Sequence, residues 1–291
     1  MVCAAAIACG VAMSGITDAH AQSSTVDELR NLIEGPLVTT CSPEFLVVVP
    51  GGGGTVPGLS EKLPRGSKVT DIARNVRDRS RGTVQPVWVS YPAVPFAVMP
   101  YPESERKGRE EMIKTVRRLA RMCPRATFSF TGYSEGAGIA SMVINDIAYG
   151  RGPIPAERFN SASLVSNPRL GDNGGAFYGG AGPGNKGALG VLHGGYGQLG
   201  SRVIDVCRAD DPICALPYEW QHHVDPLLRI VIFRGQMPLM DILSVLTQDL
   251  SVSIPFVSSF RNHTLYGHET YHVGSQWILE RRGPARVRAA Q

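Results

Sequence analysis

Short apolar segments alternate with helical segments along most of this 291-residue chain, and no other feature restricts its fold as strongly. The pattern predicts strands at residues 45–49, 87–90, 126–131, 161–165 and 203–206. It predicts helices at residues 104–122, 137–147 and 274–282. Strands that alternate with helices are joined by crossover connections, which make neighbouring strands parallel. We therefore expect one α/β domain over residues 22–291, with a central, mainly parallel sheet flanked by helices.

The predicted helices differ in how they meet the sheet. In the 104–122 helix, Met112, Val116 and Leu119 share one side, while charged residues occupy the other. The helix that follows Ser134 is rich in small residues, which suits close packing on a sheet. In the last helix we expect Trp277 and Ile278 to be buried.

Two segments interrupt the alternation. Residues 171–200 hold 13 of the 33 glycines, which leaves few side chains for a core and predicts a long excursion over the surface. A flexible linker is the alternative. Residues 224–257 are strongly apolar and belong to an insert at 216–260. This segment is either a lid or lipid-binding flap, or simply buried core.

Composition and charge exclude several classes of protein. The chain is 43% hydrophobic and 19% charged, as in ordinary globular proteins and unlike disordered ones. The net charge of +4 comes from 29 basic and 25 acidic residues that are largely interspersed. Because nucleic-acid binding needs a basic stripe with stacking aromatic residues, we expect none here. We also expect no cofactor and no metal, and a monomer.

The first 21 residues predict a signal peptide. They contain an apolar run and end in Ala-His-Ala, the small-x-small pattern that precedes cleavage after Ala21. The basic region typical of such peptides is missing, since no Lys or Arg precedes Arg30. No other run reaches the ~20 apolar residues that span a membrane. We therefore expect a secreted or cell-envelope protein, either soluble or bound peripherally.

Four cysteines remain once the predicted leader is removed: Cys41, Cys123, Cys207 and Cys214. They allow three disulfide pairings. A zinc site is the alternative, but only Cys207 and Cys214 are close in sequence, and their six-residue spacing exceeds the two to four of a zinc knuckle. An oxidising compartment also favours two disulfides.

The motif that carries chemistry is Gly-Tyr-Ser-Glu-Gly at residues 132–136, between a predicted strand and a predicted helix. A Gly-x-Ser-x-Gly string in this context is typical of a nucleophile elbow, a sharp turn that exposes the serine hydroxyl above the sheet. Ser134 is the candidate nucleophile. The backbone N–H of Glu135 is then directed at the oxyanion that forms during acyl transfer.

A serine nucleophile needs a histidine base and a carboxylate that orients it, and in this fold they follow in the order acid, then histidine. Asp210 and Asp211 come directly after the strand at 203–206. The downstream histidines are His222, His223, His263, His268 and His272. These patterns alone leave the choice among them open.

These residues resemble the cutinase-like serine esterases, and within them the larger branch of actinobacteria with mycolic-acid envelopes. In that family a cysteine lies eleven residues before the serine, as Cys123 does here. The resemblance implies that Cys41 pairs with Cys123. It also implies that Cys207 pairs with Cys214, and that the fourth residue after Cys207, Asp211, is the catalytic acid.

The family histidine opens a His-x-x-Tyr pattern near the last helix, and both His263 and His268 fit it. We favour His263, because the family pattern continues into a second aromatic-x-Val, as at Tyr271 and Val273. The resemblance further implies a second oxyanion N–H from the glycine loop at 51–55, for which Gly53 is our prediction. Glu135 stands where the family usually has glutamine.

The resemblance implies an esterase or lipase that forms an acyl-enzyme on Ser134 and hydrolyses a fatty acyl, mycolyl or phospholipid ester. With a sugar as acceptor in place of water, the same site would make a mycolyltransferase. Two other classes remain open, a non-catalytic envelope scaffold and a lipid carrier that holds an acyl chain in the apolar segment.

Overall fold

The computed structural model describes residues 37–93, 99–216 and 258–282, together with Thr247 and Ile254. The predicted signal peptide, His222 and His223 lie outside the described residues. Apart from those two single positions, so does the apolar segment at 224–257.

Six strands form one sheet, and each pair of neighbouring strands is parallel. They are β1 (Glu44–Val49), β2 (Val84–Trp88), β3 (Thr127–Tyr133), β4 (Phe159–Val165), β5 (Ala176–Tyr178) and β6 (Val203–Val206), in the spatial order β2-β1-β3-β4-β6-β5. Within residues 37–93, 99–216 and 258–282 the α-helices are α1 (Ser67–Arg79), α2 (Tyr101–Met122), α3 (Glu135–Ala148) and α4 (His268–Glu280). Short 3₁₀ helices cover Ala156–Arg158, Gly197–Arg202 and Phe260–Thr264. The predicted α/β class with a parallel sheet is confirmed.

Both faces of the sheet are buried, as parallel sheets require. On β1, Phe45 and Val47 point to the side that packs against α2 and α3. Leu46 and Val48 point to the opposite side, which packs against α1 and α4. The fully buried helix residues of the first layer include Met112, Val116, Leu119, Ile139 and Val143. Those of the second layer include Val69, Ile72, Val76 and Ile278.

The strand order places the functional residues. From β1 the chain passes to β2 on one side, then returns to β3 on the other side of β1. Such a reversal opens a crevice at the carboxyl ends of the two central strands, where α/β proteins bind their ligands. The 51–55 loop follows β1 and Ser134 follows β3, so both lie at this crevice.

Some boundaries differ from those predicted. β2 covers Val84–Trp88 rather than 87–90, and it holds Pro86, which an edge strand tolerates because it needs fewer ladder hydrogen bonds. α4 begins six residues before the predicted start. Trp277 is only partly buried, because its ring lies near the surface with Nε1 donating to the carbonyl of Arg202 at 3.1 Å.

The glycine-rich segment at residues 171–200 contributes more to the sheet and the core than predicted. It contributes β5, which pairs with β6 and extends the sheet. Tyr196 and Leu199 are buried in the core layer beside α3. The prediction of a surface excursion without core side chains is therefore wrong for this part of the segment, because two large side chains suffice to anchor it. None of the helices in the described ranges is long and apolar enough to cross a membrane.

Candidate active site

Ser134 occupies a strained turn between β3 and α3. Its backbone has φ 54° and ψ −123°, a combination that L-residues rarely adopt. The flanking glycines make the turn possible. A Cβ on Gly132 would lie 2.4 Å from the carbonyl oxygen of Gly136, and one on Gly136 would lie 2.2 Å from that of Val49. Side chains at either position would collide with α3 or β1, as the nucleophile-elbow interpretation requires.

A histidine and an aspartate line up behind the serine. His263 Nε2 lies 2.9 Å from Ser134 Oγ. Its other ring nitrogen, Nδ1, lies 3.1 Å and 3.2 Å from the two carboxylate oxygens of Asp211. The three residues come from the elbow, the loop after β6 and the 3₁₀ helix before α4. This arrangement can pass a proton from the hydroxyl to the imidazole while the carboxylate holds the ring.

The Asp211 carboxylate is completely buried and well supplied with donors. Tyr266 Oη donates to Oδ2 at 2.6 Å, and the N–H of Ile213 donates to Oδ1 at 2.9 Å. Burial alone would raise the pKa of this carboxyl group. The interactions with His263, Ser166 and Tyr266 outweigh burial and hold the pKa below its usual value. Asp211 is therefore ionised at neutral pH.

The competing candidates lie away from Ser134. Asp210 is exposed and forms a salt bridge with Arg208, with Nη2 and Oδ2 2.7 Å apart. His268 is exposed at the start of α4, where its ring stacks on that of His272 at a centroid distance of 6.5 Å. The structure thus brings Asp211 and His263 to the serine, and leaves Asp210, His268 and His272 outside.

Tyr133, the residue before Ser134, contacts the histidine in two ways. Its ring stacks on the imidazole of His263 with centroids 5.2 Å apart, and its hydroxyl donates to the His263 carbonyl at 2.6 Å. Only 17% of the His263 side chain is exposed. The imidazole is therefore fixed on its face as well as at Nδ1, while the Nε2 edge points to Ser134.

Over residues 41–228, more than half of the chain, the sequence matches the cutinase family. The chain belongs to the cutinase family.

Two curated relatives and one solved structure are similar to this chain. The carboxylesterase Culp6 homolog of Corynebacterium glutamicum is 30% identical over 47% of this chain and 50% of its own length. The probable carboxylesterase Culp3 of Mycobacterium tuberculosis is 29% identical over 40% of this chain and 42% of its own. The chain thus spans about half the length of the curated relatives it matches. The crystal structure of lysin B from mycobacteriophage D29 shares the fold, with a TM-score of 0.54, 20% identity and coverage of 81% of this chain and 99% of that chain.

The two disulfides implied by the resemblance to cutinases are confirmed. Cys41 is bonded to Cys123, and Cys207 is bonded to Cys214. The second bond closes the loop that carries Asp211. Two disulfides indicate an extracellular protein. Within the described ranges, no group of three or more His, Cys, Asp or Glu residues is arranged to hold a metal ion.

Ser166 was not found from the sequence of this cutinase. It follows β4 with φ 51°, and its Oγ lies 2.8 Å from His263 Nδ1 and within hydrogen-bond distance of Asp211 Oδ2. Nothing in the local sequence marks it, because only the sheet brings the end of β4 beside the end of β6. Ser166 and Tyr266 both contact Asp211 Oδ2 from outside the loop that carries it.

The glycine loop after β1 packs against the elbow. A Cβ on Gly51 would lie 3.2 Å from that of Ser134, and one on Gly52 would lie 3.5 Å from Glu135 Oε2. The N–H of Gly53, predicted as an oxyanion donor, instead donates to the carbonyl of Ala93 at 2.5 Å. That hydrogen bond occupies the amide.

The far end of the loop is anchored by Arg65. Its Nε donates to Thr55 Oγ1 at 2.8 Å, and its Nη2 donates to Ser90 Oγ at 2.6 Å and to the carbonyl of Trp88 at 3.1 Å. Burial lowers the pKa of Arg65 to about 10, so it remains a cation at neutral pH. These hydrogen bonds link the loop after β1 to the end of β2.

Glu135, where cutinases usually have glutamine, directs its side chain into the protein. Only 4% of the residue is exposed, and its Oε1 lies 2.5 Å from Ser104 Oγ. Burial raises the pKa of this carboxyl group to about 7, the nearby Glu105 carboxylate adds to the rise, and the hydrogen bond with Ser104 offsets part of it. A titratable group thus lies on the residue directly after Ser134.

Proposed function

We propose that this cutinase-family protein is a carboxylic ester hydrolase. The observation that carries the proposal is the continuous contact from Ser134 Oγ through the His263 imidazole to the buried Asp211 carboxylate. A serine hydroxyl is a poor nucleophile unless a positioned base accepts its proton. The carboxylesterase names of the curated relatives agree with this chemistry.

In the proposed reaction, Ser134 Oγ attacks the ester carbonyl as its proton moves to His263 Nε2. Asp211 keeps the proton of the imidazole on Nδ1 and stabilises the positive ring that forms. The protonated Nε2 then gives its proton to the leaving alcohol as the acyl-enzyme forms. A water molecule, activated by the same nitrogen, releases the acid and restores Ser134.

For the oxyanion we propose the backbone N–H of Glu135 at the start of α3 and the N–H of Gly52. Gly52 replaces our predicted Gly53, because the Gly53 amide is already paired with Ala93. Gly52 lies against the Glu135 side chain, so its backbone adjoins the elbow. Amide donors fixed before the reaction stabilise the developing charge without reorganisation.

The substrate we propose is an ester with a lipid-like acyl chain. Exposed apolar side chains lie close in sequence to the site residues, with Val56 after the glycine loop and Phe260 and Leu265 on either side of His263. Such residues favour an apolar acyl group over a small polar one. We propose water as the acceptor, so that the protein is a hydrolase rather than a mycolyltransferase. We also propose that the protein is exported and that its leader is cleaved after Ala21.

Hydrolysis of p-nitrophenyl esters with acyl chains of increasing length tests the function. We expect turnover that rises from acetyl to medium-length acyl groups. Leu265→Ser should shift this preference towards short chains, while Leu37→Ser, an equally exposed leucine far from the triad in sequence, should leave it unchanged. No hydrolysis of any ester by the folded protein would refute the proposal.

A further inference from the structure

The environment of Glu135 is unusual for a carboxylate. A buried carboxylate is normally paired with a cation, because desolvation penalises an isolated charge. Arg169, the cation on the loop after β4, is already engaged by Glu105, with Nη2 and Oε2 2.9 Å apart. Glu135 is instead held by a neutral hydroxyl, that of Ser104.

The number of hydrogens available for the contacts of Ser104 favours a protonated Glu135 carboxyl group. Ser104 Oγ lies 2.5 Å from Glu135 Oε1 and 2.8 Å from the carbonyl oxygen of Pro92. The hydroxyl has a single hydrogen, and a carbonyl can only accept. If Glu135 is ionised, one hydrogen must serve two acceptors. If Glu135 is a carboxylic acid, it donates to Ser104, Ser104 donates to Pro92, and each contact has its own hydrogen.

In the part of the chain that the structure describes, the titratable groups that interact with Glu135 are two tyrosines and a glutamate, none of which is a cation. Tyr91, after β2, is completely buried and donates to the carbonyl of Pro50 at 2.6 Å. Tyr101, at the start of α2, is also buried, and burial raises the pKa of both phenols far above the usual value. Glu105, from the same helix, is an anion paired with Arg169. Only a neutral Glu135 avoids an uncompensated negative charge among these groups.

We propose that Glu135 is a neutral carboxylic acid in the working enzyme and acts as a positioning residue whose proton the oxyanion site requires. The inference rests on the proposed function. The amide N–H groups at the start of α3 attract negative charge. An ionised Glu135 side chain, packed against Gly52, would compete with the oxyanion for these N–H groups. Its negative charge would also repel the oxyanion. Ionisation of Glu135 therefore slows formation of the acyl-enzyme although Ser134, His263 and Asp211 are intact.

The kinetic test compares wild type with Glu135→Gln, which keeps the shape of the side chain and has no charge. We measure the rate at which a fluorophosphonate labels Ser134 across the pH range. Near pH 6 the two proteins should react at similar rates, and at about pH 9 the variant should be faster by about tenfold or more. Glu103→Gln, a half-buried position on α2 that pairs with Lys107, should follow the wild-type profile. Parallel profiles for wild type and Glu135→Gln would overturn the proposal.

A second readout is independent of any reaction. Infrared spectra of wild type minus those of Glu135→Gln should contain the carbonyl stretch of a buried carboxylic acid at about pH 6, and this difference band should disappear as the pH rises. A protein without esterase activity that keeps this band would refute the proposed function and leave the protonation intact. Absence of the band in folded wild type would overturn the inference itself.

Discussion

The hydroxyl of Ser166 lies 2.8 Å from Nδ1 of His263, the ring nitrogen that faces away from the nucleophile. The same hydroxyl is within hydrogen-bond distance of Asp211 Oδ2. It can therefore accept from the imidazole and donate to the acid, in parallel with their direct contact. Ser166 thus extends the candidate triad to a fourth side chain.

Removing this hydroxyl should lower turnover without unfolding the protein. For Ser166→Ala we expect a decrease in kcat of about tenfold to a hundredfold, the usual value of a hydrogen bond to a charged group. Ser166→Gly removes the same hydroxyl and suits the positive φ of this position. The two variants should lose equal activity in steady-state ester hydrolysis. Full activity in Ser166→Gly would show that the hydroxyl has no part in catalysis.

The two neighbouring aspartates should respond very differently to the loss of charge. Asp211→Asn should reduce kcat by about 10⁴, because the amide cannot hold the imidazole in the required tautomer. Asp210→Asn should leave kcat nearly unchanged, since that side chain is exposed and forms its salt bridge with Arg208 rather than with His263. Measuring kcat of both variants with the same ester tests which aspartate is the catalytic acid. A larger loss in Asp210→Asn than in Asp211→Asn would refute the choice of Asp211.

The sequence was sufficient to predict the framework of this fold. The core strands and two of the helices lie within about three residues of their predicted bounds, because buried parallel strands and their crossover helices have strong hydrophobic periodicity. α1 was not predicted, although Val69, Ile72, Ala73 and Val76 follow helical spacing. Its first turn has no capping side chain, which removes the usual start signal.

The candidate site was only partly predictable. The elbow motif singled out Ser134, and the resemblance to cutinases singled out Asp211 over Asp210; the structure brings both to His263. The choice between His263 and His268 needed tertiary structure, because both fit the same four-residue pattern. The contacts of Ser166 with His263 and Asp211, and the hydrogen bond of the Gly53 amide, join loops that are distant in sequence. No local sequence pattern predicts them. β5 was missed because three residues among glycines gain their stability only from pairing with β6.

Loss of the first disulfide should mainly lower stability, and loss of the second should mainly lower kcat. Replacing Cys41 and Cys123 by serine opens a loop with a sequence separation of 82 and should lower the unfolding free energy by about 4 kcal/mol. Replacing Cys207 and Cys214 opens a loop with a separation of only 7 and should cost about 2 kcal/mol. The second pair should reduce kcat more strongly, because it braces Asp211. Urea unfolding and ester hydrolysis of both double variants measure the two effects, and a larger kcat loss from the first pair would contradict this division.

Glu135 should make stability fall as the pH rises. Its pKa is about 7 in the folded protein and near 4.5 in the unfolded chain, so between these values the folded state binds more protons. Unfolding free energy should therefore decrease over this range by on the order of 3 kcal/mol because of this group. Glu135→Gln should lack that decrease, while Glu103→Gln retains it. Urea unfolding at both ends of the range measures the difference, and identical slopes for wild type and Glu135→Gln would contradict the assignment.

The most direct test of the account is the site of fluorophosphonate labelling, mapped by mass spectrometry of the peptides from the protein beginning at Gln22. We predict a single label on Ser134, lost in Ser134→Ala and strongly reduced in His263→Ala, but unchanged in His268→Ala. A folded protein that takes no label, or one that is labelled equally well without His263, would contradict a serine esterase built on these residues.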